Sequence, residues 1–171
     1  MPRQAAFLRG VSPMNCRMAE LKAAYEAAGF TEVRTVLASG NVVFGGSGTR
    51  RALEKKAQAA TEQHLEKGFR TFVRRVDDLR GIVEDDPFRH FRLPAGAKRI
   101  VTFLADGAGA GAKLPVEMQQ ASILAVADGI AFGAYVPLEN DPAFMRLIEK
   151  TFGKDVTTRT WDTLKKVCAA A

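Results

Sequence analysis

The side chains with the most chemistry in this 171-residue sequence are cations. They gather at Arg70, Arg74 and Arg75, at Arg89 and Arg92, at Lys98 and Arg99, and at Arg159, Lys165 and Lys166. Guanidinium and ammonium groups set this close can neutralise successive phosphates, so they point to DNA, RNA or another phosphate-rich polymer as partner, read without sequence selectivity. The whole chain holds 25 Lys and Arg against 19 Asp and Glu, a formal charge of +6, which favours polyanionic partners over acidic proteins. A second set combines a guanidinium with hydroxyls, an amide and permissive backbone: Arg9 and Gly10, then Ser39, Gly40 and Asn41, then Thr158, Arg159 and Trp161. Such groups suit a small anionic ligand such as a nucleotide, bound or acted on, and this is the alternative function.

Catalysis has no clear owner here. General acid–base chemistry needs a perturbed carboxylate pair or an oriented histidine. Asp77-Asp78 and Asp85-Asp86 stand beside helix ends, where capping accounts for them, and His90 lies among arginines with no nucleophile nearby in sequence. No serine or cysteine triad pattern is present, and catalytic residues stay unassigned. His64 has no second histidine at metal spacing, and Cys16 and Cys168 lack CxxC spacing, so no metal site, cofactor or disulfide is expected, only two free thiols. No apolar run reaches the ~18 residues a membrane span needs, and the opening MPRQAAFLRG meets charge too early for a secretory signal. The expected setting is cytoplasmic, with no membrane partner.

The elements that must position these residues follow from periodicity. Gln4 to Leu8 reads as a buried strand, broken at Val11-Ser12-Pro13. Met18, Leu21, Tyr25 and Ala28 recur at helical spacing, with Gly29 as the stop. Residues 29–44 then read as a hairpin turning at Ser39-Gly40-Asn41, with Val33, Thr35 and Leu37 on one face and Gly40 supplying the positive φ of a tight turn. Gly45 to Gly48 precede a helix capped by Thr49, its inner face Leu53, Ala57, Ala60 and Leu65. A helix start attracts anions, but these glycines lack the phosphate-loop lysine and the GxGxxG order, so they read as a linker. Phe69 to Val76 makes a further strand, with Phe69, Thr71 and Val73 opposite Arg70, Phe72 and Arg74. Lys67-Gly68-Phe69 matches only the start of an RNA-recognition signature.

Asp77 or Asp78 starts a short helix through Val83, and Phe88 to Arg92 interleaves aromatics with cations in a turn. Lys98 to Ala105 is a strand, followed by a helical stretch around Pro115 to Gln120. Ser122 to Ala127 and Ile130 to Val136 form a second hairpin around Asp128-Gly129, a type I′ signal. Phe144, Leu147, Ile148 and Phe152 mark a helix capped by Asn140 or Asp141, and Thr157 to Thr163 leads into a last helix with Trp161, Leu164 and Cys168 inward. The fold class is therefore α+β, with two ferredoxin-like (α/β-plait) repeats: βαββαβ over 1–76, a connecting helix and loop over 77–97, and a related βαββα half with a C-terminal helix over 98–171. Whether these are two domains or one intertwined domain stays open.

Leu8-Arg9-Gly10, Val33-Arg34-Thr35, Ser39 to Phe44, and Thr157-Thr158-Arg159 with Trp161 carry a resemblance. Phe7 to Phe44 resembles the opening of the bacterial domain-of-unknown-function family 1697, and TTRTWDTLKK from Thr157 its closing motif. The resemblance implies an α/β-plait architecture in two parts and no established activity. Ser12-Pro13-Met14-Asn15 stands where the family usually has Asn-Val-Gly-Gly, and Thr160 and Asp162 replace asparagines, which removes the glycines a backbone anion nest would use. In a βαββ unit the first and second strands run the same way, so Arg9-Gly10 and Ser39-Gly40-Asn41 should emerge at one end of the sheet, with Arg159 expected to join them.

Overall fold

The structure, a computed structural model, describes residues 1–138 and 142–171; the helix cap expected at Asn140 or Asp141 lies outside them. The chain divides into two units, Met1–Gly81 with Lys165–Ala171, and Ile82–Leu164. The division falls within the 77–97 segment read as a connector. It also gives the last seven residues to the first unit, whereas the sequence reading placed them with the second repeat. One tie holding them is Arg80, whose guanidinium donates to the carbonyls of Cys168 at 3.1 Å and Ala171 at 3.0 Å.

The first unit runs β1 (Arg3–Leu8), α1 (Met18–Ala27), β2 (Thr31–Thr35), β3 (Asn41–Gly45), α2 (Arg50–Leu65) and β4 (Thr71–Arg75). Its antiparallel sheet has the order β2-β3-β1-β4. Leu21 and Tyr25 of α1 and Leu53 and Ala57 of α2 share one core with Ala6, Leu8, Val42, Phe44 and Val73 from the strands. This is the apolar stripe that the helical spacing announces. The Thr49 hydroxyl accepts the Ala52 amide at 3.1 Å, capping α2 as its sequence requires.

The first hairpin departs from its expected form. β2 ends at Thr35 and β3 starts at Asn41, so residues 36–40 form a loop rather than a tight turn at Ser39-Gly40-Asn41. Leu37, expected on the buried face, takes φ 60° and is 48% exposed. The strand has ended before Leu37: Val33 is buried and Thr35 half-buried, as the alternation expects, but β2 stops at Thr35 and the chain loops from Val36 to Asn41. The bulge between Thr31 and Arg34, where Glu32 has φ 45°, lies upstream and leaves that alternation intact.

The helix α3 (Val76–Asp85) begins in the first unit. The second unit continues through a 3₁₀ turn (Pro87–His90) to β5 (Lys98–Leu104), β6 (Val116–Met118), β7 (Ala121–Ala127), β8 (Ile130–Tyr135), α4 (Ala143–Phe152) and β9 (Val156–Thr160), then the start of α5 (Trp161–Ala170). Its antiparallel sheet has the order β6-β7-β8-β5-β9. Asp128 and Gly129 take φ 51° and 71°, the two positive values that a type I′ turn demands. Phe144, Leu147, Ile148 and Phe152 of α4 pack on Ile100, Leu104, Ile123 and Ala131.

Two elements correct the sequence reading. The stretch around Pro115 to Gln120, expected to be helical, contains the edge strand β6, with Val116, Glu117 and Met118 opposite Ile123, Ser122 and Ala121. Pro115 precedes the strand, where its missing N–H is harmless, and Gln119 with φ 55° turns the chain back. Thr157 to Thr163, read as a lead into a helix, begins as strand instead: β9 (Val156–Thr160) pairs with β5 from Leu104↔Val156 to Ile100↔Thr160. Three threonines in five residues favour a pleated surface. Thr160 then caps α5, its hydroxyl accepting the Thr163 amide at 3.1 Å. Among the described residues, no helix is long and apolar enough to cross a membrane.

Candidate functional site

Pairing of β1 with β3 sets Phe7 opposite Asn41, and the Leu8 amide donates to the Gly40 carbonyl at 2.9 Å. Arg9 and Gly10 therefore leave the sheet beside residues 39–41. Within this group the polar atoms serve the loop. Asn41 is fully buried and its amide donates to the Val36 carbonyl and the Ser39 Oγ, both at 2.9 Å. Gly40 has φ +86°, and a Cβ there would lie 2.8 Å from Val11 Cβ and 3.2 Å from Leu8 Cβ. Left-handed backbone costs a side chain about 1–2 kcal/mol and a core overpacked by one methyl costs at least about 1. Gly40→Ala should therefore lower stability by about 2 kcal/mol; an unchanged urea midpoint would refute this account. Arg9 and Ser39 remain exposed at this end.

The neighbouring loop is closed in the same way. Asn15 donates its side-chain amide to the Gly10 carbonyl at 2.8 Å and accepts the Ser12 amide at 2.9 Å. The amides of Asn15 and Cys16 both donate to the Ser12 carbonyl at 3.1 Å. Donors that an anion nest would turn outward are here turned onto the loop itself. Burial, with Glu20 adding to it, pushes the Cys16 thiol up, which leaves it a poor nucleophile at neutral pH.

Thr158, Arg159 and Trp161 lie in the second unit. The Arg159 guanidinium donates to Thr157 Oγ1 at 2.9 Å and to the Thr158 carbonyl at 2.7 Å. Burial lowers its pKa to about 10, so it stays charged at neutral pH. Trp161 is buried, its ring 5.1 Å from Phe88 and 6.5 Å from Phe132 in edge-on arrangements. It serves as a core side chain.

Two of the predicted phosphate-contacting cations are engaged within the first unit, Arg74 buried and Arg70 half-buried. Arg74 is 3% exposed, donates to the Val73 carbonyl at 2.9 Å and lies 3.5 Å from Glu54 Oε2. Arg70 stacks 4.0 Å over Phe72, donates to the Thr71 carbonyl at 2.7 Å and approaches Glu54 Oε1 at 3.5 Å. The physical reason is the sheet edge. β4 is an edge strand, and α2 receives its outward amides: Val73 N–H donates to Glu54 Oε2 at 2.8 Å and Thr71 N–H to Gln58 Oε1 at 3.1 Å. Side chains from a helix thus cover an edge that would otherwise invite another strand, and the carboxylate that does so draws both arginines in. Alternation in β4 gave no warning, because Thr71, Phe72, Val73 and Arg74 are all buried.

Arg74 and Arg159 also match each other. Each is the fourth residue of a five-residue strand running directly into a ten-residue helix, and each donates to the carbonyl just before it. Arg74-Arg75-Val76-Asp77-Asp78-Leu79 parallels Arg159-Thr160-Trp161-Asp162-Thr163-Leu164, a signal that was present in the sequence but not drawn from it.

The other cations are exposed: Arg75, Lys165 and Lys166 in the first unit, Arg89, Arg92, Lys98 and Arg99 in the second. Charge is unevenly divided between the units. The first holds sixteen Lys and Arg against eight Asp and Glu, a balance of +8; the second holds nine against eleven, a balance of −2. The 89–99 cations therefore sit in a net acidic unit. Among the described residues, no group of three or more His, Cys, Asp or Glu could hold a metal ion.

A family model described as Protein of unknown function (DUF1697) matches residues 1–129. The chain belongs to the DUF1697 family. The match takes in the Arg9 and 39–41 segments, while Thr158, Arg159 and Trp161 lie beyond it. This DUF1697 chain is similar to a solved structure, the conserved bacterial protein SP0830 from Streptococcus pneumoniae, with a TM-score of 0.74 and 18% identity over 99% of this chain and 98% of that one. At that identity the likeness is one of fold. No curated protein matches the chain.

Proposed function

We propose that this DUF1697 member binds nucleic acid or another phosphate-rich polymer, without sequence selectivity, through its first unit. The charge division carries the reading, since the first unit holds more than the whole net positive charge of the chain. Arg51, Lys55 and Lys56 on the outer face of α2, with Lys67, Arg75, Lys165 and Lys166, are exposed. The Lys56 ammonium lies 4.7 Å over Phe30 and that of Lys67 lies 5.3 Å over Phe69, so aromatic faces steady the side chains while their heads stay wet. Phe44 and Phe72 on the strands are buried, which leaves no stacking platform and favours backbone contact without base readout.

Two companion readings belong with this one. The strand orders β2-β3-β1-β4 and β7-β8-β5-β9 follow the same scheme and support two ferredoxin-like repeats, with β6 in the place of the first helix in the second repeat. Cys16 and Cys168 are both free thiols, which supports a cytoplasmic setting.

A salt series on labelled single- and double-stranded DNA and RNA tests the function. Log K should fall by ~0.7–0.9 per phosphate contact per log unit of salt. Arg51→Glu combined with Lys55→Glu should flatten that slope by about 1.5 if both touch phosphate, while Arg89→Glu with Lys98→Glu should leave it unchanged. No binding to any of the four at low salt would end the polymer reading and bring the small anionic ligand forward.

A further inference from the structure

The second unit contains a groove of about 550 Å³ that owes nothing to the polymer reading. Its size is that of a small-molecule site. Arg92 and the chain around it form one wall, and Glu117 of β6 with the turn residues Gln119 and Gln120 forms the other. The floor contains a row fixed by strand register: Glu117 pairs with Ser122, and Ser122 with Ala134. Paired residues share a face, so the row starts at a carboxylate and continues over two small side chains. Two strand spacings of ~4.8 Å make it about 10 Å long.

Opposite charges therefore face the groove from different elements. Arg92 and Glu117 both line it, and neither has an ion-pair partner among the described residues. Leu124 and Ala134 supply apolar floor, while the amide side chains of Gln119 and Gln120 can both donate and accept. A nucleotide would set two negative charges against one lining cation and a repelling carboxylate, within a unit whose balance is −2. A complementary occupant carries one charge of each sign at its ends, hydrogen-bonding amides and an apolar side chain.

We propose that this groove binds a zwitterionic peptide of two or three residues, its ammonium at Glu117, its carboxylate at Arg92 and an apolar side chain over Leu124 and Ala134. An extended tripeptide spans roughly 10 Å at ~3.5 Å per residue, a size that a groove of this volume holds.

The test is an amide chemical-shift titration of the full chain with the tripeptide Ala-Leu-Ala, its N-acetylated form, its C-terminal amide and adenosine monophosphate. Saturable shifts at residues 92–97, 117–122 and 134–136 are expected for the free tripeptide, with about tenfold weaker binding for each blocked form, the worth of one charge-assisted contact. Glu117→Gln should erase the preference for a free amine alone, and Arg92→Gln that for a free carboxylate alone. Both side chains are exposed, so the melting curves should not move. Equal binding of blocked and free peptides, binding of the nucleotide as tight as that of the tripeptide, or no saturable shift up to about 10 mM, ten times a millimolar Kd, overturns the proposal.

Discussion

Trp161→Ala should destabilise the protein by about 4 kcal/mol, within the ~3–5 kcal/mol that removing a buried Trp or Phe costs. The ring is buried in a cluster with Phe88 and Phe132, whose own centroids lie 5.9 Å apart at 88°, so three mutually edge-on rings lose their centre. For a chain of this length that corresponds to a fall in Tm on the order of 10 °C. Trp161→Phe should recover roughly half, because a smaller ring still meets both neighbours. The measurement is thermal unfolding followed by far-ultraviolet circular dichroism. A Trp161→Ala protein that melts like the wild type would show that this side chain is kept for something other than the core.

The second large effect belongs to Glu54. Glu54→Ala should cost about 3 kcal/mol, the low end for breaking a buried ion pair. The substitution takes a carboxylate from Arg74, which is almost fully buried, and an acceptor from the Val73 amide on the β4 edge. Glu54→Gln keeps an acceptor for that amide and should cost about half as much, because a neutral bond replaces a charged one. Comparing Glu54→Ala, Arg74→Ala and the double variant by urea unfolding isolates the pair, and the double variant should lose less than the sum. Additive losses would mean that the two side chains do not stabilise one another.

What was legible in the sequence was whatever a periodic pattern or a turn chemistry specifies locally. The α1 stripe from Leu21 to Tyr25, the Thr49 cap and the Asp128-Gly129 turn all take the expected form. Less legible were segments whose state depends on a partner distant in sequence. β9 is polar and forms because β5 offers it a ladder, and β6 is too short to show a period. Leu37 was read onto the strand face because alternation does not mark where a strand stops, and β2 stops at Thr35. For the sites, the adjacency of Arg9 to residues 39–41 follows from topology and was legible, but the Asn41 amide closing its own loop was not. Arg70 and Arg74 looked like surface cations since nothing near them in sequence announces Glu54, which reaches them from another element.

The assignment of Lys165–Ala171 to the first unit has a consequence for the order of synthesis. Chains leave the ribosome from the N-terminus, and domains ordinarily fold as they emerge. Here β1 to β4 emerge first, yet the first unit receives its last residues, including the buried Val167 and Cys168, only after all of the second unit has been made. Translation that stalls after Leu164, or a protease that cuts there, leaves the earlier-made of the two units unfinished while the later-made one is whole.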